Sequence, residues 1–310
     1  MTAARVVVTG ATGFIGAALL PALRADGFAL AALARDPVRA SLRLGPDVAC
    51  YEWDGVTPPP RGAFDGAVAV IHLAGEPVAS GRWTAERKRA ILSSRTDGTA
   101  SLVEALASCS ARPPVLVSAS AVGYYGDRGD EWLDEGASRG DDFLASVCAA
   151  WEAAAGRAAD CGMRVVTPRI GIVLDAGGGA LQKLLAPARL GLGGPLGHGR
   201  QWMSWIHRDD LVALLLLAVH DVALHGALNA VAPEPVTNAT MAATLGRVLH
   251  RPAILSVPAF TLRLALGEMA DVLLGSQRVR PARAEAAGFS WRYATLEPAL
   301  RDAVLGGPAS

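Results

Sequence analysis

The sequence predicts the α/β class: a doubly wound parallel sheet with a small, mostly helical C-terminal subdomain. Three observations lead there. A β-branched run, Arg5–Thr9, ends directly in Gly10-x-x-Gly13-x-x-Gly16 and passes into apolar residues at helical spacing. Strand-like and helix-like stretches then alternate at the lengths of βαβ units. Beyond residue 175 the chain turns glycine-rich and then helical.

Arg5–Thr9 lacks polar alternation, which suits a strand buried on both faces. The helix after it carries Ile15, Leu19, Leu20 and Leu23 on one side and stops at Gly27. Pro21 inside that helix removes a hydrogen bond and predicts a kink. Strands are expected at residues 28–34, 48–53, 67–73, 115–118 and 164–168, and helices at 86–109 and 143–159. Pro58-Pro59-Pro60 reads as a stiff loop. Residues 175–199, glycine-rich around a helical piece at 180–190, read as a functional loop or lid. Helical patterns follow at 211–219, 260–274 and 296–304. The expected division is a dinucleotide-binding domain over 1–225 and a substrate-side subdomain over 226–310.

Composition narrows the function classes. With 51% apolar residues in 310, a sizeable core is affordable. Lys+Arg and Asp+Glu both number 29, which argues against nucleic-acid binding. Of the basic residues only Lys88 and Lys183 are lysines. The longest apolar run, 211–219, is about half of a membrane span. Cys50, Cys109, Cys148 and Cys161 lack metal or redox spacing and read as free thiols. The N-terminus leaves no room for a signal peptide, so a reducing cytoplasm is the expected location.

The glycine turn has a physical reading. Gly10 permits the tight turn, Gly13 lets backbone approach a pyrophosphate at the helix N-terminus, and Gly16 lets helix and strand pack closely. An acid at the end of the second strand would select NAD; Ala34-Arg35 stands there instead, and a guanidinium suits the 2′-phosphate of NADP. Asp36, next in sequence, is the competing acid. Asp54, after the third strand, is either an adenine contact or an ordinary surface aspartate.

Thr9-Gly-Ala-Thr-Gly-Phe-Ile-Gly16 with His72-Leu-Ala-Gly75 resembles the extended short-chain dehydrogenases/reductases, the nucleotide-sugar epimerase and dehydratase group. Gly75-Glu-Pro-Val78, Arg82-Trp83, Ser94-Arg95, Ser118-Ala-Ser-Ala-Val-Gly-Tyr-Tyr-Gly126 and Ser204-Trp-Ile-His207 resemble one epimerase-like branch more closely, a branch with a short C-terminal domain of unknown function. The match covers nearly the whole chain. It implies a Rossmann-type fold, NADP (NADPH) as cofactor and a small substrate, sugar-nucleotide-like in the wider group. It also implies that Thr12, Phe14 and Ile15 lie with the three glycines in the cofactor turn. Arg35, Leu73, Ala74, Gly75 and Arg95 would line the cofactor site, and Ser118 to Ala121 would lie beside the nicotinamide. The sequence does not fix the oligomeric state and leaves a homodimer open.

The group's reductases use Ser or Thr, Tyr, and a Lys four residues after the Tyr. Tyr and Lys at i, i+4 share a helix face, and the ammonium lowers the phenol pKa so that it can exchange protons. Four residues after Tyr51, Tyr124, Tyr125 and Tyr293 stand Gly55, Arg128, Gly129 and Glu297, so the pair is absent. The helix expected to bear it offers Phe143 or Leu144, then Val147 or Cys148. Ser120 takes the serine position, either orienting a substrate oxygen or capping a strand end. Tyr124 is the candidate phenol, with Tyr125 as its alternate and Arg128 beside them. Arg200, Gln201 and Trp202 are either substrate contacts or solvated loop. His207 reads as packed inside under a helix capped by Asp209 or Asp210, and Arg278, Arg280 and Arg283 as a solvated face. Two functions follow: an NADP-dependent oxidoreductase or epimerase with an altered proton donor, or a non-catalytic NADP-binding sensor.

Overall fold

Successive side chains of a strand go to opposite faces, and in Arg5–Thr9 both faces are covered. Val6 and Val8 join one apolar cluster and Val7 another, all fully buried. The computed structural model describes residues 3–79 and 81–306. Among the described residues an eight-stranded parallel sheet has seven strands in one path: β1 (Arg5–Thr9), β2 (Ala29–Ala34), β3 (Val48–Glu52), β4 (Ala67–His72), β5 (Val115–Ser118), β6 (Arg164–Ile170) and β7 (Gly226–Ala230), with the short strand Ser120–Ala121 beside β6. Their order across the sheet is β3-β2-β1-β4-β5-β6-β7, with the winding reversed between β1 and β4. That reversal opens a crevice at the carboxyl ends of the strands.

The helices in chain order are α1 (Phe14–Ala25), α2 (Pro37–Leu44), α3 (Ala85–Ala107), α4 (Phe143–Gly156), α5 (Gly179–Arg189), α6 (Arg208–His220), α7 (Asn238–Leu249), α8 (Ala259–Leu266), α9 (Asp271–Leu274), α10 (Ala282–Ala286) and α11 (Leu296–Leu305). α1 and α6 cover one face of the sheet through Leu19, Leu23, Leu211 and Leu215. α3 and α4 cover the other through Leu102, Leu106 and Ala155. A third cluster joins α5, α7 and α11 through Leu185, Leu245 and Leu300 around the fully buried Trp205.

Pro21 lies inside α1, and it and Ala17 are on the exposed side, where the carbonyl deprived of its partner opens to solvent. Two expectations change. The pattern at 260–274 is not one helix, because Gly267 at φ +62° ends α8 and a 3₁₀ turn separates it from α9. The sheet runs past the boundary expected at residue 225, since Gly226–Ala230 is its seventh strand; the helical region begins beyond it.

One irregularity prepares the site. β5 pairs with β6 from Val115↔Arg164 to Val117↔Val166, and pairing resumes only at Ser120↔Arg169. Pro168 falls in the gap, where its missing N–H breaks no ladder bond. Ser118 and Ala119 do not pair with β6, and the register, unchanged across the gap, places Ser120 beside Arg169.

Gly16 tests the close packing of α1 on the turn. A Cβ there would lie 2.3 Å from the Gly10 carbonyl oxygen and 2.7 Å from Ala11 Cα, both rigid backbone. Gly16→Ala is expected to cost about 1–3 kcal/mol in denaturant unfolding. A variant as stable as the parent would show that the turn yields without penalty.

Candidate cofactor and active site

The floor of the crevice is set by Thr9. Its Oγ1 accepts from the Leu73 and Ala74 N–H groups, both at 3.1 Å, and lies 2.7 Å from His72 Nδ1. Its one proton therefore goes to Nδ1, and the imidazole carries its own proton on Nε2, 3.0 Å from Thr99 Oγ1. Burial, then the Arg95 charge, pushes the His72 pKa down to about 4, so the ring is neutral. Leu73 and Ala74 are held so close to Gly10 that a Cβ there would meet Leu73 C at 2.9 Å and Ala74 N at 3.0 Å.

α1 begins at Gly13, with no side-chain cap and no acidic residue in its first turn. The N–H groups of Phe14, Ile15 and Gly16 have no partner within the helix and offer an anion site. Thr12 is half-buried in the turn. The Phe14 ring is used otherwise: it fills the space a Cβ on Gly178 would need, 2.4 Å from its Cδ2.

Arg35 is exposed at the end of β2. Asp36 is engaged, its Oδ1 accepting the Arg39 N–H at 2.9 Å to cap α2. Asp54 closes a local turn, accepting from Val56 and Thr57 N–H at 2.7 and 2.8 Å; those bonds hold its carboxyl below the usual range. Across the crevice, Arg95 sits against Gly75, where a Cβ would lie 3.3 Å from Cζ. Its guanidinium stands 4.9 Å from the Trp151 ring and donates to the Glu76 carbonyl. Ser118 Oγ is buried at the end of β5 with no partner among the described residues.

A polar network adjoins this crevice. Ser120 Oγ donates to Glu152 Oε1 at 2.7 Å, and Arg169 holds both Glu152 oxygens with two bonds of 2.8 Å. Arg169 also donates to the Tyr125 hydroxyl, which lies 2.7 Å from Asn229 Oδ1. Burial pushes the Tyr125 phenol up to about 12. Tyr124 offers its ring face to Arg169, whose Cζ is 3.5 Å from the centroid.

Several sequence expectations are corrected here. The guanidinium that reaches the tyrosines is Arg169, which sequence reasoning missed; Arg128 is turned to Glu131 and Ser138. Gln201 is buried, its amide donating to the Leu196 and Leu273 carbonyls. Arg278 is no solvated arginine: Trp132 and Trp202 flank its guanidinium at 4.0 and 4.1 Å. His207 caps α6 itself, accepting the Asp209 N–H, with Nε2 3.2 Å from Asp302; Asp210 instead receives the Arg292 and Tyr293 N–H groups. On the helix expected to carry Tyr and Lys, Leu144 packs where a Cβ on Gly123 would be 3.5 Å away, and burial pushes the Cys148 thiol up to about 11.

Residues 6–230 match the model of the NAD dependent epimerase/dehydratase family, and 257–303 match a domain of unknown function (DUF1731). The chain belongs to the NAD dependent epimerase/dehydratase family. Among family relatives, the epimerase family protein SDR39U1 homolog, chloroplastic, of Arabidopsis thaliana is 42% identical over 96% of this chain and 85% of the relative. The crystal structure of human epimerase family protein SDR39U1 with NADPH matches with a TM-score of 0.86 at 35% identity, covering 97% of this chain and 99% of that one. A nucleoside-diphosphate sugar epimerase from Corynebacterium glutamicum matches with a TM-score of 0.78 at 36% identity, covering 98% of this chain and 58% of that one. No helix among the described residues is long and apolar enough to cross a membrane.

His72 yields a pH signature. Its folded pKa is about 4 against an ordinary 6.5, so below pH 6.5 the unfolded chain takes up a proton that the fold refuses. Stability contributed by neutral His72 is full above pH 6.5 and falls by about 3 kcal/mol as pH drops to 4. Urea unfolding across that range should show the slope, and His72→Asn should flatten it. An unchanged slope in the variant would assign the loss to other groups.

Proposed function

We propose that this protein is an NADP(H)-dependent oxidoreductase or epimerase acting on a small molecule that carries a hydroxyl or carbonyl group. The Gly10–Gly16 turn and the free N–H groups opening α1 suit the pyrophosphate. Arg35 takes the 2′-phosphate, since Asp36 is spent on its helix cap. Leu73, Ala74, Gly75 and Arg95 line the crevice, and Ser118 Oγ has bonding capacity left for a polar group of the cofactor. Asp54, already saturated by its own turn, is not needed. The bound dinucleotide supplies hydride donation or acceptance at its nicotinamide ring. The region beyond residue 230 forms the substrate side, and the cytoplasm is the location this reading assigns.

The observation that carries the catalytic part is the bond from Ser120 Oγ to Glu152 Oε1. With its proton directed at a carboxylate, Ser120 keeps lone pairs for a substrate hydroxyl. As that hydroxyl gives its proton to Ser120 Oγ, the serine proton passes to Glu152. Arg169 keeps the carboxylate aimed, and Tyr124 adds a wall beside the guanidinium instead of the phenol proton donor. A second reading, an NADP(H) sensor without turnover, is favoured by Leu144 and Cys148, neither of which can titrate as Tyr and Lys do.

Titration with NADPH and NADH tests the cofactor part: about tenfold or greater preference for NADPH is expected. Arg35→Asp should reverse it, and equal affinities in the parent would overturn the Arg35 assignment. Ser120→Ala should retain NADPH binding but abolish NADPH-linked conversion of a metabolite in cell extract. Parent protein that binds NADPH and converts nothing would leave the sensor reading standing.

A further inference from the structure

The chain uses arginine almost everywhere a cation is needed, yet Lys88 stands in the first turn of α3 beside the helix that lacks its Tyr/Lys pair. Its Nζ lies 5.1 Å from the ring centroid of Phe143, one of the two residues standing in for the absent tyrosine. The Trp83 ring meets Phe143 edge-on at 5.2 Å. Lys88 is ion-paired with Glu268 of the C-terminal region, and the Arg82 guanidinium lies against Gly267, which precedes that carboxylate. Lys88 is the cation paired with that carboxylate, and Arg82 lies beside the residue before it. The pair is also lopsided: the Lys88 side chain is 27% exposed and that of Glu268 61%. The carboxylate can swing into water while the ammonium stays against the ring. Ion pairs open to solvent on one side are weak and readily exchanged, and a lysine is a compact charge on a slender stem that fits beside an aromatic wall.

We propose that Lys88 is the anion-binding residue of the substrate site, that Glu268 holds the place of the substrate's anionic group, and that Phe143 and Trp83 take its planar or apolar body. The substrate class is a small organic anion with such a body. This deepens the reading above and rests on it for the cleft being the substrate's. A structural latch would behave differently: removing either partner would then have the same effect. A substrate anchor makes the two partners act in opposite directions, because Glu268 competes with the ligand.

Two lysines make the experiment direct. Protein labelled with ¹³Cε-lysine gives two side-chain signals, assigned with Lys183→Arg, and is titrated with benzoate, acetate and inorganic phosphate, with and without saturating NADPH. Benzoate should shift the Lys88 signal saturably and leave Lys183 unmoved, with acetate and phosphate at least about tenfold weaker. By calorimetry, Glu268→Gln should tighten benzoate binding severalfold, Lys88→Gln should weaken it about tenfold, and Lys88→Arg should restore most of it. A Lys88 signal unmoved by benzoate, equal response to all three anions, or weakening in both Lys88→Gln and Glu268→Gln would overturn the proposal. Failure of NADPH to bind in the same samples would overturn the cofactor reading alone, because the Lys88 shifts are read separately.

Discussion

The crevice depends on one buried side-chain chain, Thr9–His72–Thr99, which ties β1, β4 and α3 together where the winding reverses. Polar groups left open in a buried place cost about 1–3 kcal/mol each. Thr9 meets that demand by accepting both amide hydrogens that follow β4. Its single proton then fixes the His72 tautomer, and His72 fixes its contact with α3. The rest of the floor follows: Leu73 and Ala74 are drawn onto Gly10 until no Cβ fits.

A second constraint, the Arg169–Glu152 pair, lies beyond it. Taking both charges out of water is costly, and only bidentate geometry with further bonds offsets the cost. Both conditions hold: two bonds of 2.8 Å join the pair, and Ser120 and Tyr125 complete it. Removing either charge strands the other, so the set behaves as one unit joining α4, β6 and β7. It is a rigid mount for Ser120.

The fold was legible because β1, the glycine turn and the alternation after it are local signals that agree with one another. The close-packed turn was legible for the same reason: Gly10, Gly13 and Gly16 are backbone demands written at fixed spacing. That Asp36 caps α2 needed the structure, since capping depends on where Pro37 starts the helix. Arg169 was missed, although a charge at the carboxyl end of the otherwise apolar run Val165-Val166-Thr167-Pro168 was its available signal. Gln201 and Arg278 were misjudged because their partners Leu273 and Trp132 lie about 70 residues or more away in sequence, beyond any local pattern.

Losing a Tyr/Lys pair changes what holds an active site together. At i, i+4 the two groups are fixed by helix geometry alone, and any α-helix would keep them aligned. The Ser120–Glu152–Arg169 set instead spans an interrupted strand end, a helix and a neighbouring strand, so its alignment depends on how sheet and helix pack. The pairing keeps one register across the gap at Ser118 and Ala119, and that register stands Ser120 opposite Arg169. Asn229, on the edge strand β7, holds the Tyr125 hydroxyl that Arg169 also grips, and its backbone N–H is received by Glu135 at 2.9 Å. The C-terminal region meets the same place, because the Asn229 amide donates to the Arg280 carbonyl. A shift of that region is therefore felt at Ser120 through four hydrogen-bonded residues. Glu152 is the α4 member of the set, so that helix is tied to the sheet through the same bonds that hold Ser120.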